Sequence, residues 1–328
     1  MRGLAPLFLV VATSVPSTRR RATSGIDALL LLMTLIWGTN YSIVKNAFAE
    51  MDAQAFNALR MLIASAVFLV IIVLARRMKS PPDIFVTPDP ITGRDWLGIV
   101  ALGIVGHFFY QYFFIGGLAR TTVANSSLML AATPVVIALL SAAMGQERIS
   151  SLHWLGAALS IGGIYVVIGG RMSLGGSTLT GDLMMLAGVI CWAIYTLGAR
   201  QLMVRHSPVG ITGFSMGIGT LIYVPVMWRN LAATDWTRIG AATWIALVYS
   251  ALFALCVAYT IWYMAVKQIG SARTSVYSNL VPIVAMLAAV VFIGERLTAA
   301  KLGGAAAVLV GVALTRVGKT APLCPPEE

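Results

Sequence analysis

Ten apolar runs of about twenty residues, separated by short polar connections, fill most of the chain and leave it one environment in which to fold. A helix rises 1.5 Å per residue and needs about 20 apolar residues to cross the hydrocarbon of a bilayer. The runs fall near 27–47, 53–75, 95–117, 122–143, 152–170, 182–203, 210–229, 241–265, 271–293 and 299–317. The expected fold class is therefore an all-α polytopic membrane protein with ten transmembrane helices. Composition agrees, with 59% of the 328 residues apolar and only 11% charged, against about 45–50% and 25% in soluble domains. A net charge of +11 would raise the question of nucleic acid in a soluble chain. Here the basic residues sit mostly in the connections, so the excess reports orientation, and no nucleic-acid partner is expected.

With the N-terminus in the cytoplasm, fifteen Lys and Arg fall on the cytoplasmic side and six on the far side, while Lys45 and Arg60 lie within spans. That bias predicts both termini inside and a cytoplasmic (inner) membrane location. Before the first span, the apolar stretch Leu4 to Ala12 is too short to cross. Arg19, Arg20 and Arg21 follow it, whereas a secretory signal carries its charge in front. Residues 1–26 are read as a mobile N-terminal extension and 318–328 as a C-terminal tail. Cys191, Cys256 and Cys324 form no disulfide or metal pattern, and neither a metal nor a cofactor is expected.

The chain repeats itself at a spacing of about 150 residues. A shift of 155 maps Asp27 onto Asp182, Trp37 onto Trp192 and Lys45 onto Arg200. A shift of 148 maps Ala124 onto Ala272, Ser127 onto Ser275, Pro134 onto Pro282, Glu147-Arg148 onto Glu295-Arg296 and Gly156 onto Gly304. Two halves of five spans follow, 27–170 and 182–317. Because five is odd, the second half must enter the membrane in the opposite sense, giving two inverted-topology five-helix repeats. Such repeats are typical of secondary transporters, which bind cargo near the midplane and expose it alternately to either side.

The pieces IWGTNYSIVK, ANSSLMLAATPVVIALLSAAMGQER with LGAALSIGGIYVV, and SARTSVYSNLVPIVAMLAAVVFIGERL with LGGAAAVLVGVAL resemble EamA-type transporters of the drug/metabolite transporter superfamily. The likeness covers about residues 27–317 in both halves. It implies a carrier of small metabolites, and the aromatic content is similar to that of the aromatic amino acid exporters in the group.

Helical spacing gives a candidate cavity for a small-molecule substrate. Trp37, Asn40, Tyr41 and Val44 share one face of the first span, and Trp192, Tyr195 and Thr196 answer from the sixth. The third span adds His107 and Gln111, the eighth Tyr259, Trp262 and Tyr263, and the fourth and ninth Asn125, Tyr277 and Asn279. Polar groups at bilayer depth avoid lipid and face neighbours or a wet cavity; interfacial belts and ordinary packing are the duller alternatives. Arg60 is open to a substrate carboxylate, whereas Lys45 is expected to snorkel to Glu50 or Asp52. No acidic residue lies deep in a span, so among titratable groups only His107 is placed for proton coupling. Pro134 and Pro282 are expected to kink their helices as hinges. Glu147 and Glu295 should cap the helices that follow them. Gly162, Gly163, Gly303, Gly304 and Gly311 suit close packing of the fifth and tenth spans, as repeat docking or a homodimer contact in a protein otherwise monomeric.

An enzyme is not expected. Gly213-Phe214-Ser215-Met216-Gly217 spells GxSxG, but that motif needs a strand-to-helix turn with a base and an acid, and here it falls in an apolar run. A receptor would call for a soluble domain. The expected function is secondary transport, export of aromatic or other neutral amino acids across the cytoplasmic membrane by alternating access. Carriage of another metabolite or drug, such as a nucleoside, nucleotide sugar or polyamine, is the alternative.

Overall fold

A computed structural model of the chain describes residues 17–87, 89–133, 135, 136, 139, 140, 147, 148, 151–169, 177–269, 274, 277–317, 321 and 322. Helices account for nearly all of it, because a backbone in hydrocarbon must satisfy its own polar groups. In chain order they are α1 (Ser17–Ala47), α2 (Ala53–Arg76), α3 (Gly93–Leu102, Gly103–Phe109 and Tyr110–Arg120 in one run), α4 (Val123–Ala131), α5 (Ser151–Gly169) and α6 (Ser177–Met203). There follow α7 (Pro208–Val226), a short helix at Trp228–Ala232 and a single 3-10 turn at Trp236–Arg238, α8 (Ala241–Tyr249, Ser250–Val257 and Ala258–Ile269 in one run), α9 (Val281–Ile293) and α10 (Ala299–Val317). Among the described residues the one extended pairing joins Glu147–Arg148 to Ala321–Pro322.

Among the described residues six stretches are long and apolar enough to cross a membrane: Gly25–Ala47, Ala53–Arg76, Gly93–Arg120, Leu179–Met203, Pro208–Val226 and Ala241–Gln268. Trp154–Val166, Val281–Ile293 and Ala299–Leu314 are shorter apolar helices. Most of the expected boundaries hold within a few residues; α4 ends at Ala131, short of the expected 143, which lies outside the described residues, and two further departures are instructive. Residues 17–26, expected in a mobile extension, continue α1 toward its N-terminus, as Arg and Ala are strong helix formers. Pro282 does not kink a continuous helix; it occupies the first turn of α9, after a turn at Asn279 and Leu280. A proline fits there because first-turn N–H groups have no helical partner anyway. Its counterpart Pro134 lies outside the described residues.

Side chains mark the helix ends. Asp52 accepts from the N–H groups of Gln54 and Ala55 at the start of α2, Thr92 and Asp95 form a reciprocal capping box on α3, and Gly294 closes α9 in the left-handed region at φ 68°. Glu50, in the turn before α2, accepts from the Gly240 N–H (2.9 Å) and the Thr243 hydroxyl (2.7 Å), tying that turn to the start of α8. Those two donors, Thr243 foremost, hold its carboxyl below the usual carboxylate range.

The two repeats pack in exchanged pairs. α1 lies on α8 as α6 lies on α3, α1 on α9 as α6 on α4, and α2 on α8 as α7 on α3. α2, α4 and α5 meet their own counterparts α7, α9 and α10. Residues related by the 155 shift touch across the middle: the Ser65 and Thr220 hydroxyls are 2.8 Å apart, and the Trp37 and Trp192 rings meet edge-on with centroids 6.3 Å apart. An approximate two-fold axis therefore runs between the repeats, as duplication demands.

α5 and α10 approach through glycine. A Cβ on Gly163 would sit 2.8 Å from the Gly304 carbonyl oxygen, and one on Gly311 would sit 2.5 Å from that of Gly156. The Ser160 hydroxyl donates across the contact to the Val308 carbonyl at 3.3 Å. Gly162 and Gly303 instead face open space and take no part in that contact. Overpacking costs typically about 1–3 kcal/mol, so Gly311→Val should lower the melting temperature of the purified protein by several degrees, whereas Gly303→Ala should not. A scanning thermal melt in one detergent checks both.

Candidate functional site

Aromatic rings from four helices converge where the repeats meet. α1 supplies Trp37 and Tyr41, α3 Tyr110 and Phe114, α6 Trp192 and Tyr195, and α8 Tyr259, Trp262 and Tyr263. Trp37 is the hub, with ring centroids 5.9 Å from Tyr259 and 5.6 Å from Trp262. Trp192 stands 5.0 Å from Tyr110, 5.6 Å from Tyr195 and 5.5 Å from Tyr259, and Tyr41 reaches the set through Phe114 at 5.5 Å. Such pairs are worth about 0.5–1.5 kcal/mol each beyond burial, enough to hold the rings in fixed orientations.

The backbone beneath the rings is unusual in both repeats. Residues Gly103–Phe109 of α3 and Ser250–Val257 of α8 are π-helical, and the 148 shift overlays them. A π turn bonds each N–H five residues back, which releases one carbonyl from the ladder. In α8 the Ala258 N–H bonds the Phe253 carbonyl, and the freed Ala254 carbonyl accepts the Trp37 indole N–H at 3.0 Å. In α3 the Tyr110 N–H bonds the Val105 carbonyl in the same way. Glycine lets neighbours close on these segments: a Cβ on Gly106 would lie 2.2 Å from the Tyr195 ring, and one on Gly219 2.4 Å from the His107 Cβ.

Arg60 is fully buried beside the rings. Its Nε donates to Asn57 Oδ1 (3.0 Å), one Nη to the Ser250 hydroxyl (3.0 Å) and the other to Gln111 Oε1 (2.6 Å). All three partners are neutral. His107 Nε2 lies 3.2 Å from the Tyr195 hydroxyl, while its Nδ1 has no partner among the described residues. The arrangement sets a cation and an amide beside an aromatic wall. No group of three or more His, Cys, Asp and Glu able to hold a metal occurs among the described residues.

Thus Trp37, Tyr41, Arg60, His107, Gln111, Trp192, Tyr195, Tyr259, Trp262 and Tyr263 come together, with Asn40 buried on the same helix as Trp37. Asn125 does not join them. It sits at the start of α4 with its amide 3.5 Å from Asp182. Tyr277 lies before α9, where its carbonyl accepts from the Thr34 hydroxyl at 3.3 Å. Tyr110, Asn57 and Ser250 were not foreseen; Asn57 was legible as the residue one turn before a buried Arg, Ser250 was not. Ser215 of the GxSxG string lies inside α7 and donates to the Ile211 carbonyl at 2.7 Å, away from any strand-to-helix turn.

A second polar network closes one end of the bundle and corrects two expectations. Lys45 does not reach Glu50 or Asp52; it donates to the Leu118 carbonyl (2.7 Å) and the Thr121 carbonyl, which α3 leaves unpaired at its C-terminus. Glu295 does not cap the helix after it. Its carboxylate accepts from the Val123 and Ala124 N–H groups at 3.1 and 3.4 Å, capping α4 of the other repeat, and pairs with Lys301 at 2.8 Å. The Thr121 hydroxyl donates to Asp182, a buried carboxylate near the start of α6. The side chain of Glu147 lies outside the described residues.

The sequence pattern of the EamA-like transporter family matches residues 25–169 and again 179–317. The chain belongs to that family. Among relatives of this EamA chain, an uncharacterized transporter of Bacillus subtilis, YyaM, is 25% identical over 287 residues, covering 87% of this chain and 91% of its own. A probable amino-acid metabolite efflux pump of Salmonella typhimurium is 26% identical, covering 88% and 94%. A probable terminal-alkyne amino-acid exporter of Streptantibioticus cattleyicolor is 26% identical over 67% of this chain and 73% of its own. A protein crystal structure superposes with a TM-score of 0.59 at 20% identity, covering 89% of this chain and 96% of the other, so the fold is shared.

Hydrogen bonds to charged groups contribute about 1.5–3 kcal/mol. Glu295→Gln, which weakens both the Lys301 pair and the α4 cap, should lower thermal stability by that order, and the Glu295→Gln, Lys301→Met pair should lose less than the two single changes summed. Melts of the four proteins of the cycle test this.

Proposed function

We propose that this EamA protein is a secondary transporter that exports small amphipathic metabolites, foremost aromatic or other neutral amino acids, across the cytoplasmic membrane by alternating access. The observation that carries the reading is Arg60, a buried guanidinium whose three partners are all neutral, set beside a wall of aromatic rings. A charge at bilayer depth is costly and is kept where it serves a site. A cargo carboxylate would neutralise Arg60, and its apolar side chain would rest among Trp37, Trp192, Tyr259 and Trp262. The relatives described as an amino-acid metabolite efflux pump and an amino-acid exporter support the same class. A polyamine fits poorly, for no carboxylate pairs with Arg60 or its neighbours among the described residues.

In this reading ten helices span as two inverted five-helix repeats, both termini are cytoplasmic, and the repeats rock about the axis through Trp37 and Trp192. The breaks before Pro134 and Pro282 act as hinges. The Lys45, Glu295, Lys301 and Asp182 network is the outer closure.

In proteoliposomes loaded with radiolabelled aromatic amino acids, Arg60→Gln should weaken apparent affinity roughly tenfold to a hundredfold, the effect of losing a charged hydrogen bond. Trp192→Ala and Tyr259→Ala should each cut flux severalfold at equal membrane abundance. Wild-type flux in all three variants would reject the site. Single cysteines at positions 79 and 205 should label from the same, cytoplasmic, face; labelling from opposite faces would reject the topology.

A further inference from the structure

Outside the central site, a cavity of about 630 Å³ opens between α3 and α6, within the range of roughly 300–1,000 Å³ usual for small-ligand sites. It is amphipathic along its length. Its rim carries Thr92, Arg94, Asp95, Gln201 and Arg205, and its floor is apolar and small: Gly98, Ala101, Leu102, Val105, Ile194 and Gly198. Its furrow lies along Ala101, Val105 and Ile194, beside two glycines whose own space is taken by two leucines. A Cβ on Gly198 would lie 2.8 Å from the Leu102 side chain, and one on Gly98 3.3 Å from that of Leu202.

The rim is cationic after internal pairing is counted. Asp95 already accepts from the Thr92 N–H (3.0 Å) and hydroxyl (2.7 Å), from Arg205 at 2.5 Å, and faces His206 Nε2 at 3.2 Å. Arg205 is bound through one nitrogen and its side chain is half exposed. Arg94 is exposed and has no hydrogen-bond or ion-pair partner among the described residues. One whole guanidinium and most of a second therefore face outward with no acid left to meet them.

Depth and surroundings are those of a bilayer interface. Trp96, partly exposed, packs on Phe214 at 5.3 Å, and the Arg76 guanidinium lies 5.9 Å from the same ring. An aromatic residue beside arginines is the usual mark of the headgroup level. Leu97, at 71% exposure, and Ile194 flank the cavity with bare apolar surface. Basic cavities between helices at the cytoplasmic face suit anionic headgroups.

We propose that this cavity is a binding site for an anionic phospholipid, its phosphate on Arg94 and Arg205 and one acyl chain in the furrow of Ala101, Val105 and Ile194. The lipid bridges the two repeats, since α3 belongs to the first and α6 to the second. It also abuts the π segment that carries His107, so occupancy stiffens the seam beside the cargo site. Assignment to the inner leaflet rests on the orientation proposed above; binding itself does not.

The test uses the full chain, delipidated in detergent, and needs no cargo, so its failure is separate from failure of the transport reading. Phosphatidylglycerol should be retained in native mass spectrometry and raise the melting temperature by several degrees over phosphatidylcholine. Arg94→Gln should cut that retention severalfold. Ala101→Trp, which fills the furrow and leaves both guanidinia, should do the same. Equal retention of the two lipids, or phosphatidylglycerol retention unchanged in both variants, would overturn the proposal. So would a melting shift of equal size from soluble glycerol phosphate, which has a headgroup but no chain.

Discussion

Two π-helical turns, one per repeat, set the geometry on which the centre depends. In hydrocarbon a backbone carbonyl freed from its helix has no water to bond, so releasing one is tolerated only where something else takes it up. The indole of Trp37 does so in α8, and that single bond fixes the hub against which Trp192, Tyr259 and Trp262 are packed. The π segment of α8 also begins at Ser250, whose hydroxyl accepts from Arg60. Without the Ala254 bond the ring cluster would lose its anchor.

The polar network around the end of α3 shows how a duplicated chain ties itself together. A carboxylate from one repeat caps a helix of the other, and a lysine from α1 satisfies the end of α3. These contacts are few and polar, and Lys45 stands one helical turn beyond Tyr41 of the ring cluster. The glycine contact of α5 with α10 is the opposite case, a seam packed so closely that neither helix can slide without losing it.

Much of this was legible in residue order. Hydropathy gave the helices, the 155 and 148 shifts gave the repeat, and the i, i+3, i+4 spacing of Trp37, Asn40 and Tyr41 picked the inward face of α1. What escaped were features that depend on hydrogen-bond register or on partners distant in sequence. A π turn has no residue signature of its own, and Ser250 could not be chosen without it. Glu295 looked like a local cap because its true partners, Val123 and Ala124, lie more than 170 positions away. Pro282 read as a kink because the run around it is uniformly apolar, whereas the chain breaks first and uses the proline to begin again. Asn125 shares its helix with the expected face but lies at the end, where Asp182 holds it.

The approximate two-fold axis relates backbones more faithfully than side chains. By the same shifts Arg60 corresponds to Ser215, and Gln111 to Tyr259, so both repeats contribute rings but the cation and its amide come from the first. A symmetric ancestor would have offered identical ends to whatever it held. The descendant has a head and a tail, with the buried guanidinium of Arg60 contributed by the first repeat.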